Sequence, residues 1–144
     1  MKIMKVCTVI CFTIFFVNLL FAQNKPSEWE EYNTVNNVTI SYKYVDCNNP
    51  SQGTFKEYVV FRFQNNNTVP VKIEWDQIRY YDNKDNTSEN SIENHKELIL
   101  GSEEIFESSC DTGRGFNIFS KFLNYKTTEL VKFELSNIKV TFQK

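Results

Sequence analysis

The chain has 144 residues, 16 basic against 18 acidic side chains and a formal net charge of −2, with 41% hydrophobic and 15% aromatic residues. Lysines and arginines are interspersed with the acids, which excludes the basic footprint of a nucleic-acid binder. This length supports one domain with a real core and not two.

The first element is "MKIMKVCTVICFTIFFVNLLFAQ". Lys2 and Lys5 make a positive start, Val6 to Phe21 is almost wholly apolar, and Ala22 supplies a small residue at a cleavage point. That is the layout of a secretory signal peptide over residues 1–22, with a core short for a spanning helix. An uncleaved membrane anchor is the competing reading. Cys7 follows Val6 and Cys11 follows Ile10, so neither sits behind the small residue that a lipoprotein signal needs. Cleavage leaves 23–144, in which 14 basic residues face 18 acidic ones for a net charge of −4. The expectation is an exported protein, periplasmic or extracellular, with no stable membrane span after cleavage.

Residues 23–37 read as a polar lead-in with a helical turn, pinned by Trp29. From Val38 onward the pattern is strict alternation. "VTISYKY" sets Val38, Ile40, Tyr42 and Tyr44 on one face, and "EYVVFRF" sets Val59, Phe61 and Phe63 against Tyr58, Val60 and Arg62. "VKIEWDQ" sets Val71, Ile73 and Trp75 against Lys72, Glu74 and Asp76. Further strands are expected at 97–100, 104–108, 116–123 and 130–142. In the last, Val131, Phe133 and Leu135 hold one parity while Ile138, Val140 and Phe142 hold the other, which predicts a bulge near Ser136–Asn137. "NNPSQG" (48–53), "QNNNTVP" (64–70), "LGSEE" (100–104) and "DTGRG" (111–115) read as turns, and 81–97 as one long polar loop.

These elements predict an all-β fold: an antiparallel immunoglobulin-like β-sandwich of seven to eight strands, one domain over 38–144. The Cys47-to-Trp75 spacing of 28 is too long for a true immunoglobulin domain. Once the signal is removed, Cys47 and Cys110 are the only cysteines, and in an oxidising compartment they read as one disulfide. A metal site would need close CxxC or His partners, and a catalytic thiol would need a base.

The ending "FAQ", the tryptophan lead-in, "VTISYKYVDC", "EYVVFRFQN", "VKIEWDQIRYYD" and "LVKFELSNIKV" together resemble a group of small, functionally uncharacterised exported β-sandwich proteins of Bacteroidetes-type bacteria. The resemblance covers nearly the whole mature chain. It implies location and fold and transfers no site residues. Relatives in that group often carry an extra cysteine pair in the middle loop, and residues 81–97 contain none.

The catalytic inventory is thin, and no cofactor motif occurs. The single histidine, His95, lies in "SIENHKEL" with no glycine-flanked nucleophile, and a loop histidine among acids and lysines reads as solvated. "TGRGF" leads into a strand, where a phosphate cradle leads into a helix. Glu103, Glu104 and Glu107 resemble a glycosidase pair only in composition, because such pairs work in a deep cleft. Asp82, Asn83, Asp85, Asn86, Ser88 and Glu89 offer oxygens for calcium. The EF-hand pattern fails, with Lys84 at a ligand position, no central glycine and no closing glutamate. The three Asn-X-Ser/Thr matches, at Asn37, Asn66 and Asn86, follow from the abundance of asparagine and carry no glycan in a bacterial protein.

Aromatic content is the remaining clue. Eighteen of the 122 mature residues are Phe, Tyr or Trp, with Trp75, Tyr80 and Tyr81 close together beside Arg79. The sequence therefore predicts a non-catalytic module acting through its surface on a protein or glycan partner at the envelope or outside. The alternative is a carbohydrate-binding module using Tyr80 and Tyr81, with Arg79 as polar neighbour and Trp75 either in the site or in the core.

Overall fold

The structure, a computed structural model, describes residues 25–83, 92–111 and 115–144. The signal segment 1–22, the calcium candidates Asp85 to Glu89 and most of "TGRGF" lie outside them. Eight strands are described: β1 (Glu30–Val35), β2 (Val38–Asn49), β3 (Thr54–Asn65), β4 (Val71–Tyr81), β5 (His95–Leu100), β6 (Ile105–Glu107), β7 (Ile118–Phe122) and β8 (Leu130–Phe142). They form two antiparallel sheets. One runs β1-β2-β3, with β6 and β7 sharing the far edge of β3, and the other runs β5-β4-β8.

Local chemistry explains the connections. Asn36 and Asn37 both take positive φ (47° and 59°), the left-handed pair that closes a two-residue hairpin between β1 and β2. Pro50–Gln52 form a 3-10 turn that ends on Gly53 at φ 64°, returning the chain into twelve consecutive β2–β3 pairs. The chain then changes sheet at β3–β4, returns after β5 and changes again after β7. This sets β3 beside β7 and β4 beside β8. The same exchange places B beside E and C beside F in an immunoglobulin sandwich. The disulfide departs from that pattern: Cys47 on β2 joins Cys110 after β6, with Cα atoms 5.5 Å apart, and so stays within the five-stranded sheet.

The alternating residues meet in one core. Val38, Ile40, Val59, Phe61 and Phe63 come from one sheet and Val71, Ile73, Trp75, Leu98, Leu100, Leu135 and Val140 from the other. Phe63 and Trp75 close the gap between the sheets at 4.7 Å between ring centroids. At the end near the β3–β4 turn, Asn65 is 1% exposed. Its amide donates to the carbonyls of Val69 and Gly101 and its oxygen accepts from Asn67 N, so one buried side chain ties two turns together.

Four expectations change. The segment 81–97, read as one long polar loop, has Tyr81 in β4 and 95–97 in β5, so His95 is a strand residue. Residues 30–35, read as lead-in, form edge strand β1. Strand β7 starts at Ile118 rather than at 116, and Phe116 packs in the core ahead of it. Val131, grouped by parity with Phe133 and Leu135, is 63% exposed while Leu135 is buried. A register shift between Tyr80 and Tyr81 turns it out and puts Leu130, 3% exposed, inside. The predicted parity switch near Ser136–Asn137 is present as a second register shift, with Asn137 at φ 51°. Among the described residues no helix is long and apolar enough to cross a membrane.

Candidate functional site

The four nominated residues of β4 do not converge. Trp75 is 1% exposed and stacks between Phe63 and Phe116, so it is core. Tyr81 shares that inward parity. Its ring packs against the core and its hydroxyl donates to the Phe119 carbonyl at 2.7 Å. Burial pushes the Tyr81 phenol above its usual value. Arg79 also points inward and donates to Asn94 Oδ1 at 3.3 Å. Tyr80 alone lies on the outer face, with Lys132 Nζ 5.1 Å from its ring centroid. The interior of β4 has a cost of its own. Among the described residues, Trp75 Nε1 and Gln77 Oε1 are buried with no hydrogen-bond partner, and an unsatisfied buried group of this kind costs about 1–3 kcal/mol.

The ionisable candidates are held by fold contacts. On the outer face of the three-stranded sheet, His95 Nδ1 meets Asp76 Oδ1 at 3.0 Å, and Asn137 Nδ2 donates to Asp76 Oδ2 at 2.7 Å. Asn137 first, then His95, holds the Asp76 carboxyl below its usual range. Ser136 is the register partner of Asp76 on β8 while His95 lies on β5. The carboxylate therefore stands between them, whereas a triad needs the imidazole in the middle. Glu104 Oε2 accepts from Gly101 N in the β5–β6 turn, and Glu107 pairs with Arg62. Asp82 Oδ1 accepts from Glu129 N and so closes the β4–β8 end. Among the described residues no group of three or more His, Cys, Asp or Glu side chains is arranged to hold a metal ion.

The segment before β1 does more than lead in. Lys25 Nζ reaches Glu57 Oε1 at 2.8 Å, Glu129 Oε1 at 3.0 Å and Ser120 Oγ at 3.2 Å, and sits 5.1 Å from the Tyr44 ring centroid. Ser120 is fully buried and donates to Glu57 Oε1 at 2.7 Å. Lys25 thus closes one end of the sandwich. Trp29 lies over the outer face of the five-stranded sheet between Lys43 Nζ (4.7 Å) and Arg62 Cζ (4.4 Å). Val60, next to both, is 1% exposed although it points away from the core.

Next to the Lys25 end, the outer face of β3 and β7 carries an aromatic row. Tyr58 meets Phe119 edge-on at 5.8 Å, Phe119 meets Phe122 at 5.0 Å, and Tyr125 stacks on Phe122 at 4.5 Å and 21°. Lys56 Nζ lies 5.7 Å from the Phe122 ring centroid. The row borders an open depression of about 400 Å³ lined by the end of β7 and the β7–β8 connection, among them Lys121, Asn124, Tyr125, Lys126 and Glu129. Sequence reasoning missed this group. Its one visible signal is "FSKFLNY", whose aromatic spacing continues past the end of the strand. No family model, no curated protein and no solved structure matches the chain.

Proposed function

We propose that the chain is an exported, non-catalytic binding module that acts through its surface. One observation carries this reading. The acid–base candidates His95, Glu104 and Glu107 are each engaged by a different neighbour, whereas the open depression is lined by aromatic and long polar side chains. His95 leans on Asp76, Glu104 caps the Gly101 turn and Glu107 pairs with Arg62. Hydrolysis needs an acid and a base converging on one shielded substrate bond. Recognition needs only a concave surface with a few oriented polar groups. A disulfide is consistent with an oxidising compartment, and the resemblance to exported proteins of Bacteroidetes-type bacteria points the same way.

Two measurements test the reading. The full chain expressed in a bacterium, fractionated and sequenced from its N-terminus, is expected outside the cytoplasm and beginning at Gln23. Purified oxidised protein is expected to turn over none of a set of chromogenic glycosides, esters and peptides. Turnover that disappears in His95→Ala or Glu104→Ala would overturn the non-catalytic reading.

A further inference from the structure

We propose that the ledge of Tyr58, Phe119, Phe122 and Tyr125, with the depression beside it, binds an acidic saccharide. The inference rests on the binding-module reading and names the ligand class of its surface.

Four observations lead there. Tyr125 shares one face with Phe122, yet half of the residue, 51%, is exposed. Leu123 beside it is 40% exposed, although the core takes up most other large apolar side chains. The row is held in place from behind. Phe119 stands edge-on to both Tyr58 and Phe122, and its carbonyl accepts from the half-buried Tyr81 hydroxyl. A platform organised this way loses little side-chain freedom when a ligand stacks on it. Third, the depression, about 400 Å³, falls in the range of small-ligand sites.

The fourth observation is charge. Lys56 Nζ lies 5.7 Å from the Phe122 ring centroid and Lys121 and Lys126 line the depression, while the single acid in that lining, Glu129, is held by Lys25 at 3.0 Å and Lys121 at 3.5 Å. The ledge is therefore locally basic on a chain of net charge −2. A pyranose ring presents apolar C–H patches to an aromatic face and hydroxyls to Asn124 and the Tyr125 hydroxyl. A uronic acid carboxylate adds the charge-assisted partner for the lysines. A neutral saccharide leaves that charge unanswered.

The test uses the oxidised mature chain, titrated calorimetrically with hexamers of galacturonic, mannuronic and glucuronic acid and with cellohexaose. At least one uronate is expected to bind about tenfold or more above cellohexaose, and to weaken as salt is raised. Tyr125→Ala is expected to lose about tenfold or more, and Lys56→Gln with Lys126→Gln to abolish the preference over cellohexaose. Tyr80→Ala, on the other sheet, should bind as the parent does. Thermal melts of each variant separate lost binding from lost folding. Binding unchanged in Tyr125→Ala, equal binding of cellohexaose, or no saccharide bound at all would each overturn the inference. The same samples are analysed for saccharide length. Shortened chains would overturn the non-catalytic reading, whereas intact, unbound saccharide overturns this site alone.

Discussion

Lys25 offers the sharpest test of how the sandwich is closed. Replacing it with Met keeps the side-chain length and removes the ammonium. Glu57, whose side chain is 12% exposed, would then keep the Ser120 hydroxyl at 2.7 Å and lose its cation. Removing one partner from a fully buried ion pair costs about 3–5 kcal/mol. Here Lys25 is 28% and Glu129 47% exposed, so solvent screens part of the loss and about 2 kcal/mol is expected. For a domain of this size that corresponds to a fall of about 8 °C in Tm. The assay is urea and thermal unfolding of Lys25→Met, Glu57→Gln and the double variant. A coupling energy of about 1–2 kcal/mol is expected, because each single variant strands the other partner. Strict additivity would refute the argument that Lys25 and Glu57 act as a pair.

The pH dependence of that difference has a definite sign. Burial pulls the Lys25 ammonium down, but hydrogen bonds to Glu57 and Glu129 outweigh it and raise it above its ordinary 10.5. Its contribution is therefore complete below 10.5 and is lost as pH rises through the raised value. The hydrogen bond from Lys25 lowers Glu129 below its ordinary 4.5, so that part is complete above 4.5 and is lost as pH falls through the lowered value. The wild-type advantage over Lys25→Met should be flat between these limits and shrink outside them.

Other outcomes follow from the same structure. Paired replacement of Cys47 and Cys110 by Ala should cost about 4 kcal/mol in urea unfolding, from the separation of 63 residues that the bridge closes. Asn37→Gly should hold or raise Tm, whereas Asn37→Ala should cost about 1 kcal/mol, because φ is 59° there. In Asn137→Gly, which tolerates the φ of 51°, the Asp76 carboxyl should titrate closer to its ordinary 3.8 by NMR. Its stabilisation, present above 3.8 and lost as pH falls through the lowered value, should diminish. With Trp29→Phe, emission from Trp75 should be blue and resistant to iodide, since the indole is 1% exposed. Red, quenchable emission would contradict its place between Phe63 and Phe116.

Period-two alternation was enough to place β2, β3 and the first half of β4, because a strand covered on one face must alternate whatever it pairs with. The Cys47–Cys110 pairing was equally legible, since cleavage at Ala22 would leave no competing cysteine. Strand β1 escaped because "EEYNTV" is an edge with a bulge, where only Tyr32 and Val35 pack against the core and solvent accepts the rest. Val131 escaped for a related reason: a bulge is decided by the partner strand, and β4 shifts register there. Of the aromatic row, only the spacing in "FSKFLNY" was visible in the sequence, and its meeting with Tyr58 was not. Tyr58 and Phe119 are neighbours only because the chain, having run through β4, β5 and β6, brings β7 back to the edge of β3. Alternation sets which way a side chain faces. Which rings share a surface depends on strand order, and strand order is fixed by contacts between residues far apart in the chain.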